Sequence, residues 1–207
     1  MKLANFYDGT SARIGVVEGD EIVDVKSGDD RLPNDILSLL LQGEAGLEAV
    51  RRAAKHAKRI ALSQIKLGPP IPSPRKFMGL GLSYRTHVEE MRKKGMVSDH
   101  QMWFNKQVTC INGPYDPIHL PKVSQQLDYE GELAFVIGKR ARHVSKEQAK
   151  SVIAGYMICN DVSVRDWQRR APGGILGKSF DTHGPTGPWL TTADEVPHPE
   201  NLGIKTS

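Results

Sequence analysis

The chain has 207 residues, 39% hydrophobic and 25% charged, with a formal net charge of +4. That length holds one large domain or a small one plus a medium one, and the composition excludes a disordered chain. The longest aliphatic cluster, ILSLLL at 36–41, is far too short to span a bilayer, and MKLANFYDGTSAR at the N-terminus has no apolar signal region. Cys110 and Cys159 are the two cysteines, with no CxxC pair, so neither a zinc ribbon nor a disulfide framework is supported. Free thiols in a reducing setting are the expectation, in the cytoplasm or in an organelle whose targeting segment is absent here.

In chain order, KLANF, ARIGVV and EIVDV read as a small β-meander, broken at Asp8-Gly9 and at Glu18-Gly19-Asp20. Asn34 or Asp35 caps a short helix, ILSLLLQ, which Gly43 stops. A second helix is predicted over 46–62. Its apolar face is Leu47, Val50, Ala54, Ala57 and Ala61, and its basic residues are Arg51, Arg52, Lys55, Lys58 and Arg59. No aromatic residue is interleaved with those cations, so they read as a solvated helix face, not a nucleic-acid site. The Pro-rich run at 68–74 is a stiff linker that divides a small N-terminal domain, 1–70, from a larger one, 71–207.

RKFMGLGLSY predicts a strand entering a glycine-bearing turn, and THVEEMRKKG a helix capped by Thr86 and ended by Gly95. His87 and Glu90, three apart, share a face of that helix, where a carboxylate can fix the imidazole tautomer and raise its basicity. The stretch 95–126 is irregular and turn-rich, the pattern of a lid or binding loop. Its His100 and His119 are assigned to no site.

LDYEGELAFVIGK, 127–139, predicts a strand with Tyr129, Leu133, Phe135 and Ile137 on one face and Asp128, Glu130, Glu132, Ala134 and Val136 on the other. Like charges spaced that closely repel unless they sit in water or hold a cation. For the strand by itself a solvated end is the default reading, and a divalent-metal site on Glu130 and Glu132 the sharper one. Ser145 opens a predicted helix to about Ala154, and YMICNDVS a strand ending at Asp161. SVRDWQRR predicts a helical turn capped by Ser163, with Arg165 and Gln168 three apart. PGGILGKS departs from the P-loop pattern at Pro172 and lacks its strand–helix context, so nucleotide binding is rejected. Lys178 remains a cation to place near the carboxylates.

DYEGELAFVIGKRAR, YMICNDVSVRDWQ and GKSFDTHGPTGPW, preceded by PSPRKF and GLSYRTHVEEM, together resemble the fumarylacetoacetate hydrolase family, in order and over about 70–207. The resemblance implies an α+β, mostly β fold, a mixed β-sandwich roll with a small N-terminal α+β domain. It implies Glu130, Glu132 and Asp161 as ligands of Mg²⁺, Mn²⁺ or Ca²⁺, a His87–Glu90 catalytic dyad and a catalytic Lys178. Arg165 and Gln168 match substrate-contacting positions, and Asp128 is not counted as a ligand. The implied chemistry is hydrolytic cleavage of the C–C bond of a β-diketo acid such as an acylpyruvate, through a metal-stabilised enolate. Isomerisation or decarboxylation of a dienedioate or of oxaloacetate at the same site is the alternative. The implied partners are a small anionic 2-oxo acid and a second copy of the chain, with no nucleic acid or membrane. Family members run on past the position of Ser207, with further strands and a T-G-T-P turn. The chain is therefore expected to be C-terminally incomplete, or else a binding protein without catalysis.

Overall fold

The structure, a computed structural model, describes residues 1–95, 97 and 99–206. The meander forms as expected from β1 (Lys2–Asp8), β2 (Ser11–Glu18) and β3 (Glu21–Asp24). Two-residue turns join them, each opening on a glycine at φ +60°, Gly9 and Gly19, where an L side chain is disfavoured. Side chains alternate across this sheet. Leu3, Val16 and Val23 enter one apolar cluster, whereas Ala4, Phe6, Val17 and Ile22 enter a second.

Three helices cover the first face: α1 (Val25–Gly28), α2 (Ile36–Leu40) and α3 (Gly43–Ala54). They supply Val25, Ile36, Leu39 and Val50, all 0–1% exposed. Asp35 caps α2 by accepting from the Ser38 amide at 2.8 Å. The helix expected over 46–62 begins earlier and ends at Ala54. Lys58–Ala61 instead form β4, antiparallel to β3. Ile60 packs on the second cluster while Arg59 reaches Glu18 (2.6 Å) and Glu21 (3.3 Å), so period-two pairing overrides the helical pattern. The basic stretch is thus partly neutralised within the fold, with Arg51 also bonding Glu44 and Glu48.

β5 (Lys66–Gly68) pairs with β1, and the Asn5 amide donates to the carbonyls of Pro69 and Pro70 at 2.8 and 2.9 Å. β6 (Phe77–Gly81), α4 (Arg85–Lys93) and β7 (Met102–Lys106) follow, with β6 and β7 antiparallel. The span 95–126, expected to be irregular, therefore contains β7. It also contains a 3-10 turn at Val108–Cys110 and β8 (Ile111–Asn112). Its Met96 and Ser98 lie outside the described residues. Tyr84, not Thr86, stands at the N-cap of α4, and no side chain caps it.

The acidic strand is broken in two: β9 (Leu127–Asp128) and β10 (Gly131–Ile137). The helix expected after Ser145 reduces to turns and a 3-10 segment, Ala149–Val152, because Ile153 already begins β11 (Ile153–Asn160) along β10. β12 (Ser163–Val164) pairs with β9, and α5 (Arg165–Gln168) and α6 (Ile175–Lys178) lead to β13 (Gly184–Thr192). The protein is mostly β. Its nine-stranded sheet runs β10-β11-β13-β1-β2-β3-β4, with β5 on β1 and β8 on β13, and all pairs are antiparallel except β13–β8. β1 joins β13 at Lys2↔Thr191 and Leu3↔Leu190, so strands from both sides of residue 70 share one sheet. Among the described residues no helix is long and apolar enough to cross a membrane.

Leu190 is fully buried in the cluster that also holds Leu3 and Ile14. Leu190→Ala is expected to destabilise the fold by about 2–5 kcal/mol in urea unfolding, the loss of transfer energy plus the cavity left behind. His183 is also fully buried, with Nε2 2.9 Å from the His119 carbonyl and no partner at Nδ1 among the described residues. Burial pushes its imidazole below the ordinary value, against a smaller opposing effect of the His119 carbonyl. A folded pKa below the unfolded one of about 6.5 gives stability that is present above that pH and lost as pH falls through it. The stability advantage of wild type over His183→Gln should accordingly shrink from about pH 7 to pH 5 in unfolding titrations. An advantage independent of pH would exclude this account.

Candidate active site

The strand break at Tyr129–Glu130 builds the site. The Asp161 amide donates to the Glu130 carbonyl at 2.8 Å, and the Asn160 side chain accepts from the Glu130 amide at 3.0 Å. These bonds hold the end of β11 beside the start of β10. Cross-strand pairing of Glu132 with Cys159 then sets the register. Glu130, Glu132 and Asp161 come from these adjoining strand ends, as the sequence placed them.

Lys178, at the end of α6, lies among them. Its Nζ donates to Glu130 Oε1 at 2.9 Å and to Asp161 Oδ2 at 2.6 Å, and sits 5.0 Å from the centre of the Phe104 ring. Glu130 Oε1 also accepts from Ser163 Oγ at 2.6 Å and lies 2.6 Å from an Arg165 guanidinium nitrogen. Burial pushes the Glu130 carboxyl up, but Ser163, Lys178 and Arg165 together outweigh it and hold the group below the usual glutamate range. Arg165 further clamps Asp128 through two nitrogens, at 2.9 and 2.7 Å, and donates to Gln168 Oε1 at 3.0 Å. Asp128 is therefore an arginine partner, and Arg165 and Gln168 do share one side of the site.

Glu132 has a different environment. Its carboxylate accepts from the Tyr84 hydroxyl at 2.6 Å and has no cationic partner among the described residues. Burial, then the nearby charges of Asp161 and Glu130, push its carboxyl up against the bond from Tyr84. Burial and Glu132 in turn push the Tyr84 phenol up to about 12. The Tyr84 oxygen also accepts from the Leu133 amide at 3.1 Å, which ties the start of α4 to β10.

His87 and Glu90 ride on α4, with Nδ1 to Oε2 at 3.7 Å, and both side chains are more than half exposed. Glu90 bonds Lys94 at 2.5 Å, which holds its carboxyl below the usual range. No hydrogen bond or ion pair among the described residues joins this dyad to the carboxylates. Tyr84, at the head of the helix, links it to the carboxylates through its hydrogen bond to Glu132.

The donor set is all oxygen, the chemistry hard divalent cations prefer, and among the described residues Glu132 makes no ion pair. In that sense the residues fit a metal. Their arrangement is not a cage, since among the described residues no three His, Cys, Asp or Glu side chains are placed to hold one ion. Lys178 lies between two of the three carboxylates instead.

Sequence reasoning missed three members of the site. Lys106, at the end of β7, is buried and bonds Asp161 Oδ1 at 2.7 Å and the Lys178 carbonyl. Tyr84 and Ser163 each bond one of the carboxylates. Ser163 was expected as a helix cap, but Val164 holds that position and the hydroxyl turns to Glu130. No local pattern marked Lys106, which lies in the stretch 95–126 that was expected to be irregular. Cys159 beside the site is pushed up to about 12, first by burial, and stays a thiol.

Comparison with known proteins identifies the family. Residues 76–207 match the fumarylacetoacetate (FAA) hydrolase C-terminal family. Oxaloacetate tautomerase fahd2 of Xenopus laevis is 39% identical over 212 residues, covering 99% of this chain and 66% of that protein. Oxaloacetate tautomerase YisK of Bacillus subtilis is 34% identical, covering 92% and 69%. Among solved structures, maleylpyruvate hydrolase from Sphingobium sp. SYK-6, in complex with manganese(II) and pyruvate, has a TM-score of 0.77. It is 35% identical, over 96% of this chain and 70% of that one. The chain spans 60% of the human FAHD2A tautomerase and 59% of the rat protein. With the profile matched over more than half its length and relatives this similar, the chain belongs to the fumarylacetoacetate hydrolase family.

Proposed function

We propose that this chain carries an enolising site for a small anionic 2-oxo acid, and that its reaction is keto–enol tautomerisation of an oxaloacetate-like diacid. The observation that carries the reading is the buried Lys178 ammonium, fixed between Glu130 and Asp161 beside a Glu132 that makes no ion pair among the described residues. The naming of similar proteins as oxaloacetate tautomerases supports it. Glu130, Glu132 and Asp161 are the residues that would hold Mg²⁺ or Mn²⁺, and the bound ion would supply Lewis-acid polarisation of the 2-oxo group.

The chain's own residues do the rest. Arg165, at the partly exposed side of the cluster, pairs with a substrate carboxylate. Lys178 donates a hydrogen bond to the oxygen on which negative charge develops. His87, steered by Glu90, takes the proton from the carbon next to the carbonyl and returns it to that oxygen, giving the enol with no net change in atoms. This needs α4 to bring the dyad over the carboxylates. Tyr84 anchors that helix at Glu132.

Hydrolysis of an acylpyruvate is the second reading, favoured by the maleylpyruvate hydrolase structure. There His87 activates water for attack on the distal carbonyl, and Lys178 stabilises the departing enolate. Assays of oxaloacetate enol decay and of acylpyruvate loss, each with Mg²⁺ or Mn²⁺, separate the two. Tautomerisation should dominate, and rapid hydrolysis without it would favour the second. His87→Ala should lower kcat about 10²–10⁴-fold, the usual contribution of a general base. An unchanged rate would remove the dyad from the mechanism. Glu132→Gln should raise the metal concentration needed for activity, and unaltered metal demand would exclude the ligand assignment.

A further inference from the structure

We propose that Lys106 is a positioning residue that sets both Asp161 and Lys178, although it never meets substrate. The inference rests on the reading of the cluster as a 2-oxo acid site. Lys106 ends β7, and its side chain is 2% exposed. Its ammonium has three protons and three acceptors: Asp161 Oδ1 at 2.7 Å, the Val162 carbonyl at 3.4 Å and the Lys178 carbonyl. No donor capacity is left for a ligand. The acceptors come from the turn after β11 and the last residue of α6, so one side chain ties three segments together.

Asp161 is shared between two ammonium groups, Lys106 on Oδ1 and Lys178 on Oδ2. Holding Oδ1 aims Oδ2 at Lys178. Holding the Lys178 carbonyl fixes the backbone from which that side chain leaves α6. A metal-ligand carboxylate and a catalytic ammonium are thus oriented by one buried cation, in the way that outer partners orient ligands. Lys178 differs from Lys106 in reaching Glu130, which lies on the partly exposed side of the cluster. The two lysines therefore divide the work, with Lys106 placing and Lys178 facing the reacting atoms.

The test uses Lys106→Met in the 207-residue chain, with Leu190→Ala as a comparably destabilised control in the distant core. Three quantities are read: Mn²⁺ affinity by electron paramagnetic resonance, kcat and KM for oxaloacetate, and the NMR signal of the Lys178 side-chain amine. Lys106→Met should weaken Mn²⁺ binding and lower kcat by about 10–100-fold, with KM little changed, and should move the Lys178 signal. Leu190→Ala should do none of this. Wild-type Mn²⁺ affinity and an unmoved Lys178 signal in folded Lys106→Met would overturn the proposal, as would equal losses in the control. If the wild-type chain binds no Mn²⁺ and turns over no 2-oxo acid, the functional reading fails separately, and the Lys178 signal alone decides the positioning role. Should Lys106→Met not fold, Lys106→Arg carries the test. Its larger planar head keeps the charge but cannot reproduce the three bonds, so a wild-type kcat and Lys178 signal would overturn the proposal.

Discussion

Two lysines buried in one place require a carboxylate between them. An ammonium taken out of water without a partner is severely unfavourable, and Lys106 and Lys178 are both only 4% exposed. Asp161 meets both, one on each oxygen, and Glu130 adds a second contact to Lys178. Removing Asp161 would leave the Lys106 ammonium buried without a carboxylate, and removing any other member would unbalance the charge shared through it, so the four act as one unit. The positions of β7, β11 and α6 relative to one another depend on this unit, because each ends in one of its residues or immediately beside one.

The large sheet supplies the frame for that unit. β10 and β11 set the carboxylates by antiparallel register, and β13 carries that pair onto β1 and so onto the N-terminal meander. The helices over the first 54 residues then cover one face of the sheet, while Phe6, Ile22 and Leu67 fill the other. The site therefore sits toward one end of a sheet whose apolar core lies mainly at the other. This arrangement leaves α4, which carries His87 and Glu90, as an exposed arm anchored at Tyr84.

The placement of several of these side chains was legible in the chain. The E-x-E spacing brought Glu130 and Glu132 together although the expected strand breaks at Tyr129–Glu130, and Asp161 follows the end of a strand. The ordered motifs named the family, and the relatives bear that out. Where local patterns competed with pairing, they misled. The 46–62 helix and the helix after Ser145 both looked sound by periodicity and capping, yet their C-terminal portions became strands because β3 and β10 offered ladder partners. Lys106 and Tyr84 gave no local signal, since neither belongs to a spaced motif with the residues it serves. Their roles arise from contacts 48 to 72 positions away along the chain.

The sequence by itself determined the N-terminal meander with its glycine turns, the chemistry of the acidic strand, the rejection of a P-loop, and family membership. These follow from short-range rules: two-residue alternation, turn geometry and ordered motifs, all of which are local. Only the tertiary structure decided which cation meets which carboxylate. It gave Asp128 to Arg165, Glu130 and Asp161 to Lys178, and Glu132 a hydrogen bond from Tyr84. Charge pairing in a buried cluster is set by which segment ends converge, and that convergence is a property of the whole sheet.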